Sequence, residues 1–177
     1  MPHTTVNLKV DRDGTVTLFT GAAEIGQGSD TIQVQLVAEE LGVRPERVKL
    51  IAADTELTPV DLGSYSSRVT FMAGNACLDA ARKLKLQILE AAAAKFGRPP
   101  EELVSREGKI FLRSDPRTAV SFDEAVKEAL DRFGVLGSTG SYAPPEEARG
   151  GKFKGAGVGP SPSYSYSAQA AEVSVDV

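Results

Sequence analysis

Two short stretches hold the residue types from which a ligand site can be built. The first, Gly26-Gln27-Gly28-Ser29, stands where a helical pattern begins. Its glycines let backbone come close to a ligand, and the first N–H groups of a helix are unpaired and attract anions. Gln27 offers both a donor and an acceptor to a polar edge. The second, Gly63-Ser64-Tyr65-Ser66-Ser67-Arg68, stands at the mouth of another helix. Its hydroxyls, aromatic ring and guanidinium suit a phosphate or a heterocycle. Each stretch also reads as a plain helix cap, with Ser29 as N-cap of one helix and Arg68 in solvent at the other. Two such entrances in one small domain raise the prospect of a shared ligand.

Other chemistry is largely excluded by composition. The chain has 177 residues, with one Cys (Cys77), one His (His3) and no Trp. One cysteine leaves no disulfide framework, Cys-rich zinc site or self-contained iron–sulfur cluster. Ser66 and Ser67 have no His or suitable Lys to activate them as nucleophiles. A net charge of −4 argues against nucleic-acid binding. No apolar run is long enough to span a bilayer and no basic-then-apolar leader opens the chain, so a cytoplasmic protein without membrane contact is expected. The first stretch lacks the Gly-Lys-Ser/Thr of a P-loop and is no dinucleotide fingerprint. Glu24 is placed to orient the first loop, whereas Glu39-Glu40, Glu101-Glu102 and Glu146-Glu147 read as solvated faces. Arg149, Lys152 and Lys154 form a modest basic cluster that also reads as solvated.

The elements that must position these stretches follow from periodicity. Residues 5–10 and 15–19 alternate apolar and polar around Asp11-Arg12-Asp13-Gly14, which predicts a hairpin. A helix is predicted from Asp30 to Leu41, ended by Gly42, and a strand from Arg47 to Ala52. Met72, Ala76, Ala80, Leu84, Ile88, Ala92 and Phe96 recur every four residues, which predicts a long central helix from about Arg68 to Gly97. Its buried stripe should widen through Cys77, Ala81 and Ala91, and its small residues permit close backbone approach. A short turn at 100–104, a hairpin around Glu107-Gly108, a helix capped by Ser121 and Glu124, and an extended segment over 135–142 complete the pattern. Residues 144–163, rich in Pro, Gly and Lys, read as a long loop, and 163–177 alternate as a further strand. The expected fold class is α+β. A hairpin and mixed sheet pack against one long and two shorter helices, in one segment spanning 1–177.

Three motifs in order make the sequence resemble the xanthine dehydrogenase/aldehyde oxidoreductase family. They are Gly21-Ala22-Ala23-Glu24-Ile25-Gly26-Gln27-Gly28-Ser29, Ala53-Asp54-Thr55-Glu56-Leu57-Thr58-Pro59, and the run from Gly63 through Arg68 to Ala76. Within the family the likeness is nearest to the molybdenum-binding large subunit of 4-hydroxybenzoyl-CoA reductase, and it runs from about Thr4 to Val177.

The resemblance implies that the chain helps hold a molybdopterin, in the cytosine dinucleotide form. It places Gly26, Gln27, Gly28 and Ser29 in the loop whose glutamine approaches the molybdenum and pterin. It places Ser66, Ser67, Arg68, Val69 and Thr70 in a second loop against the pterin and its phosphate. The family binds the metal through the pterin's dithiolene sulfurs, so no protein metal ligand is expected. The family's further glutamine loop and catalytic glutamate base are expected C-terminal to this segment, so no catalytic residue is assigned here. FAD and iron–sulfur clusters are expected on partner subunits, beside the remaining segments of the large subunit. The substrate implied is an aromatic or heteroaromatic small molecule, or a CoA thioester, and the segment is expected to be incomplete for catalysis alone. The competing reading is a binding or assembly module of the same fold without molybdenum.

Overall fold

A computed structural model of the chain describes residues 3–65, 68–145 and 166–176. The predicted hairpin forms from β1 (Thr4–Val10) and β2 (Val16–Thr20), antiparallel with Val6 opposite Thr20. Strict alternation sends Val6, Leu8, Val10, Val16 and Leu18 into the core. Helix α1 (Ser29–Leu41) ends at Gly42, whose φ of 73° is the left-handed C-cap conformation. It leads to β3 (Val48–Ala52), which pairs with β2 in parallel. The extended segment over 135–142 is β7 (Leu136–Tyr142), and it joins the far side of β1, giving the mixed order β3-β2-β1-β7.

Helix α2 (Gly74–Phe96) lies across this sheet, entered through a single wide π-type turn at Val69–Ala73. Met72, Ala76, Ala80, Leu84, Ile88 and Ala92 are buried as the four-residue row predicts, and Cys77, Ala81 and Ala91 widen the stripe. The small residues permit the approach expected of them. A Cβ on Gly140 of β7 would stand 2.0 Å from the Ala76 carbonyl oxygen and 2.4 Å from the Ala80 nitrogen.

A second sheet, β4-β5-β6, packs beyond the end of α2. Its hairpin, β4 (Leu103–Arg106) and β5 (Lys109–Leu112), turns through Glu107 and Gly108, both at positive φ. The third strand, β6 (Asp115–Ser121), is absent from the sequence reading, because Asp115-Pro116-Arg117 carries no alternation and Pro demotes a strand. An edge position, with a register shift at Phe111/Leu112, tolerates it. Helix α3 (Phe122–Phe133) begins with the expected capping box. Glu124 N–H donates to Ser121 Oγ (3.2 Å) and Ser121 N–H donates to Glu124 Oε2 (2.9 Å).

One expectation is overturned. Residues 166–176 alternate in sequence yet lie in no strand and are exposed. A strand needs a neighbouring edge for its N–H and C=O groups, and this segment pairs with neither outer strand of the sheet, β3 or β7. The loop read over 144–163, and the basic residues in it, lie outside the described residues apart from 144–145.

Candidate functional site

Topology brings the two candidate stretches to one end of the sheet. β2 and β3 are parallel, with Thr20 opposite Ala52, so the chain leaves both strands at the same edge. One exit becomes the loop over 21–28, the other the loop that begins at 53 and is described to 65. β1 starts there as well, with Thr4 opposite Tyr142. The carboxyl ends of parallel strands are where α/β folds place ligands, because loops there are free of sheet pairing.

The first loop is organised by Glu24. Its Oε1 accepts from the N–H groups of Gly26 (2.7 Å) and Gly28 (2.9 Å), and its Oε2 from that of Asp30 (3.2 Å). These bonds, that of Asp30 foremost and that of Gly28 next, hold its carboxyl down to about 2. The helix entrance that sequence reasoning offered to a ligand anion is therefore already occupied by a side chain of the loop itself. Gly28, with φ of 76°, is the N-cap, and Ser29 is the fully buried first helical residue. Ser29 Oγ lies 3.3 Å from Glu24 Oε2 and accepts from Gln27 Nε2 at 2.9 Å. Gln27 also donates to the Ala23 carbonyl (3.2 Å) and accepts from Ile25 N–H (2.6 Å), so its amide is held flat along the loop. Nearby, Asp30 Oδ1 is buried without a partner, and burial, then the charge of Glu24, pushes its carboxyl up.

The second loop is organised by Arg68, which is 7% exposed and not solvated. Its Nη1 donates to Asp61 Oδ1 (2.8 Å) and to the Gly63 carbonyl (2.9 Å), and its Nη2 to Thr4 Oγ1 (2.8 Å). Its guanidinium lies 5.6 Å from the Tyr65 ring centroid. Arg68 thus clamps the loop to the first residue of β1 and has its fork spent inside the protein. Asp61, unremarked in the sequence, also accepts from Gly63 N–H at 2.8 Å. The one available signal was an acidic residue and an arginine flanking a glycine turn.

The loops meet. Ser64 Oγ donates to the Ala23 carbonyl at 2.7 Å, the same oxygen that Gln27 uses. A Cβ on Gly21 would stand 2.1 Å from the Pro59 carbonyl oxygen, so only glycine allows the contact. Beneath them Ala22, Val69 and Ala73 form a small buried cluster of their own. Val69 therefore faces inward, with Ser29 and Arg68, while Gly26, Gln27, Gly28 and Thr70 are exposed. Ser66 and Ser67 lie outside the described residues. Cys77 of α2 is buried against Gln33 of α1, and burial pushes its thiol up to about 12, which leaves it inert. Among the described residues no group of three or more His, Cys, Asp or Glu is assembled for a metal, and no helix is long and apolar enough to cross a membrane.

A sequence model of the molybdopterin cofactor-binding domain matches residues 1–177. The chain belongs to the molybdopterin cofactor-binding domain family. It is 39% identical over 110 residues to the xanthine dehydrogenase molybdenum-binding subunit of Escherichia coli O157:H7, covering 62% of this chain and 15% of that protein. It is 46% identical over 88 residues to the 6-hydroxypseudooxynicotine dehydrogenase complex subunit gamma of Paenarthrobacter nicotinovorans, covering 50% of this chain and 11% of that one. The fold is similar to that of quinoline 2-oxidoreductase from Pseudomonas putida 86, with a TM-score of 0.73 and 26% identity over 81% of this chain and 19% of that structure. It is similar as well to reconstituted CO dehydrogenase from Oligotropha carboxidovorans, with a TM-score of 0.74, 25% identity, and coverage of 82% and 18%. The cofactor-binding segment therefore spans between a tenth and a fifth of these relatives.

Proposed function

We propose that this segment forms one wall of the molybdopterin site in a larger molybdenum-dependent oxidoreductase, through the two loops that share the Ala23 carbonyl. That shared oxygen carries the reading, because it makes a single surface of two stretches 41 residues apart. The residues present fit such a group. Their chain neighbours aside, no atom stands within 4 Å of a Cβ built on Gly26 or Gly28, so the backbone on either side of Gln27 is open. A planar heterocycle with donors and acceptors on its edge suits that backbone, and no protein metal ligand is required where the cofactor's own sulfurs hold the metal.

On this reading Gly26, Gln27, Gly28 and Thr70 face the group. Ser66 and Ser67 are assigned to the same group by the resemblance alone. Ser29, Arg68 and Val69 act from below, by fixing the loops. When bound, the group supplies two-electron redox chemistry at molybdenum. The cytosine dinucleotide form, FAD and iron–sulfur partner subunits, an aromatic, heteroaromatic or CoA-thioester substrate and a cytoplasmic location all belong to the same proposal, and are supported by the resemblance. Relatives named as the subunit of a complex and as a large chain support assembly with other polypeptides.

The test is molybdenum and pterin content of the segment co-expressed with the remaining parts of its large subunit, in cells that make the cofactor. Stoichiometric metal and pterin are expected, with retention reduced in Gln27→Ala. Metal-free wild-type assembly would sink the reading and leave the assembly-module alternative. Unchanged retention in Gln27→Ala would remove Gln27 from the site.

A further inference from the structure

We propose that residues 171–176 are one half of a β-pair, and that the covering strand comes from the remaining parts of the large subunit, apolar on one face and basic on the other. This rests on the reading above that the chain works inside a larger subunit, and not on the molybdopterin site itself. In an extended chain Ala171, Val173 and Val175 share one face, while Glu172, Ser174 and Asp176 share the other. That is the pattern of a strand with one buried and one wet face. Yet Val173 is 83% and Val175 76% exposed, and among the described residues the segment pairs with no strand of either sheet. Unpaired backbone groups and an unburied apolar face call for the same occupant. A second strand satisfies both at once, through ladder hydrogen bonds and alternate side chains.

Charge selects where that strand comes from. A second copy of the segment could set both valines against valines in two registers. Antiparallel pairing centred on Ser174 places Glu172 opposite Asp176, and parallel pairing in register places each acid opposite itself. Like charges directly opposite destabilise a pair, so the wet face works against self-pairing. A strand with lysine or arginine on that face removes the conflict and adds opposite-charge pairs. The outer strands of this chain's own sheet, β3 and β7, do not take the segment. The remaining source is the rest of a large subunit. This chain matches only between a tenth and a fifth of each relative, so such subunits carry most of their polypeptide in other segments.

The experiment follows hydrogen exchange across 171–176, in the full chain alone and in its assembly with the remaining parts of the large subunit. In the chain alone these amides exchange freely. In the assembly alternate amides slow by roughly ten-fold or more, as expected of a strand paired along one edge. Val173→Asp combined with Val175→Asp should abolish the slowing and weaken assembly by roughly ten-fold or more. Both side chains are exposed in the chain alone, so its own fold should survive the change. Glu172→Lys combined with Asp176→Lys should weaken assembly too, and unchanged or tighter assembly would overturn the basic partner face. Slowing in the chain alone would give the pairing to the chain itself or to a second copy, and would overturn the proposal. Free exchange in a formed assembly, or failure of the wild type to assemble, would do the same. Molybdenum content separates the two readings. A metal-free assembly with a protected segment refutes the site reading and leaves this one standing, and a metal-loaded assembly with free exchange does the reverse.

Discussion

Ser64 and Ala23 are joined by one hydrogen bond, from a hydroxyl in the loop after β3 to a carbonyl in the loop after β2. That oxygen also receives the Gln27 amide, so the position of the residue proposed to meet the cofactor depends on Ser64, which lies 41 positions beyond Ala23. Ser64→Ala removes the hydroxyl and, among the described residues, leaves Gln27 as the carbonyl's side-chain partner. A loss of about 1 kcal/mol is expected, which for a domain of this size is a fall in Tm of about 2–4 °C. Calorimetry measures it, and pterin retention should fall further than this small change in stability explains.

Arg68 and Asp61 form a buried pair, with side chains 8% and 4% exposed. Arg68→Ala strands the Asp61 carboxylate together with the Thr4 hydroxyl and Gly63 carbonyl, and should cost about 3–5 kcal/mol. The double variant Arg68→Met with Asp61→Leu should recover much of that loss, since no unpaired charge remains. Urea unfolding of the single and double variants gives the coupling directly. Arg68→Lys should behave as a damaging change, because an ammonium cannot reproduce the fork that reaches Asp61, Gly63 and Thr4 together.

Gly140 lets β7 lie against the backbone of α2. A Cβ there would meet the Ala76 oxygen and Ala80 nitrogen at well under contact distance, and both belong to a helix that cannot yield locally. Gly140→Ala should destabilise by about 1–3 kcal/mol or more, whereas Gly97→Ala, with open space around it, should cost only the strain of its positive φ. Thermal denaturation of the two variants separates overpacking from backbone strain.

Acid should act through Glu24 in a particular window. Its carboxyl lies near 2 when folded, against an ordinary 4.5. A carboxylate depressed on folding contributes stability that is fully present above the unfolded value and is lost as pH falls toward the folded one. The stability difference between wild type and Glu24→Gln should therefore be flat above about pH 5 and shrink from there toward pH 2. Denaturant unfolding at a series of pH values checks it. A difference that grows on acidification would contradict the assigned bonds.

Much of the fold is written in local pattern. The β1–β2 hairpin, α1 with its Gly42 stop, the four-residue row of α2 and the Ser121–Glu124 capping box each depend on residues close in sequence, so periodicity and cap chemistry reveal them. β6 was not legible, since its place is granted by β5 beside it and not by its own residues. Residues 166–176 show the converse, a strand pattern that pairs with no strand of either sheet.

For the site, the sequence by itself determined which residues are chemically able and that both loops sit at helix starts. It left open whether those helix starts were free. Tertiary structure decided that: Glu24 takes the amides of the first loop, Arg68 turns inward to Asp61 and Thr4, and Gly21 against Pro59 brings the loops together. The physical reason is distance along the chain. A hydrogen bond satisfied by a partner 41 or 64 residues away leaves no periodic trace, yet it fixes which polar groups remain available to a ligand.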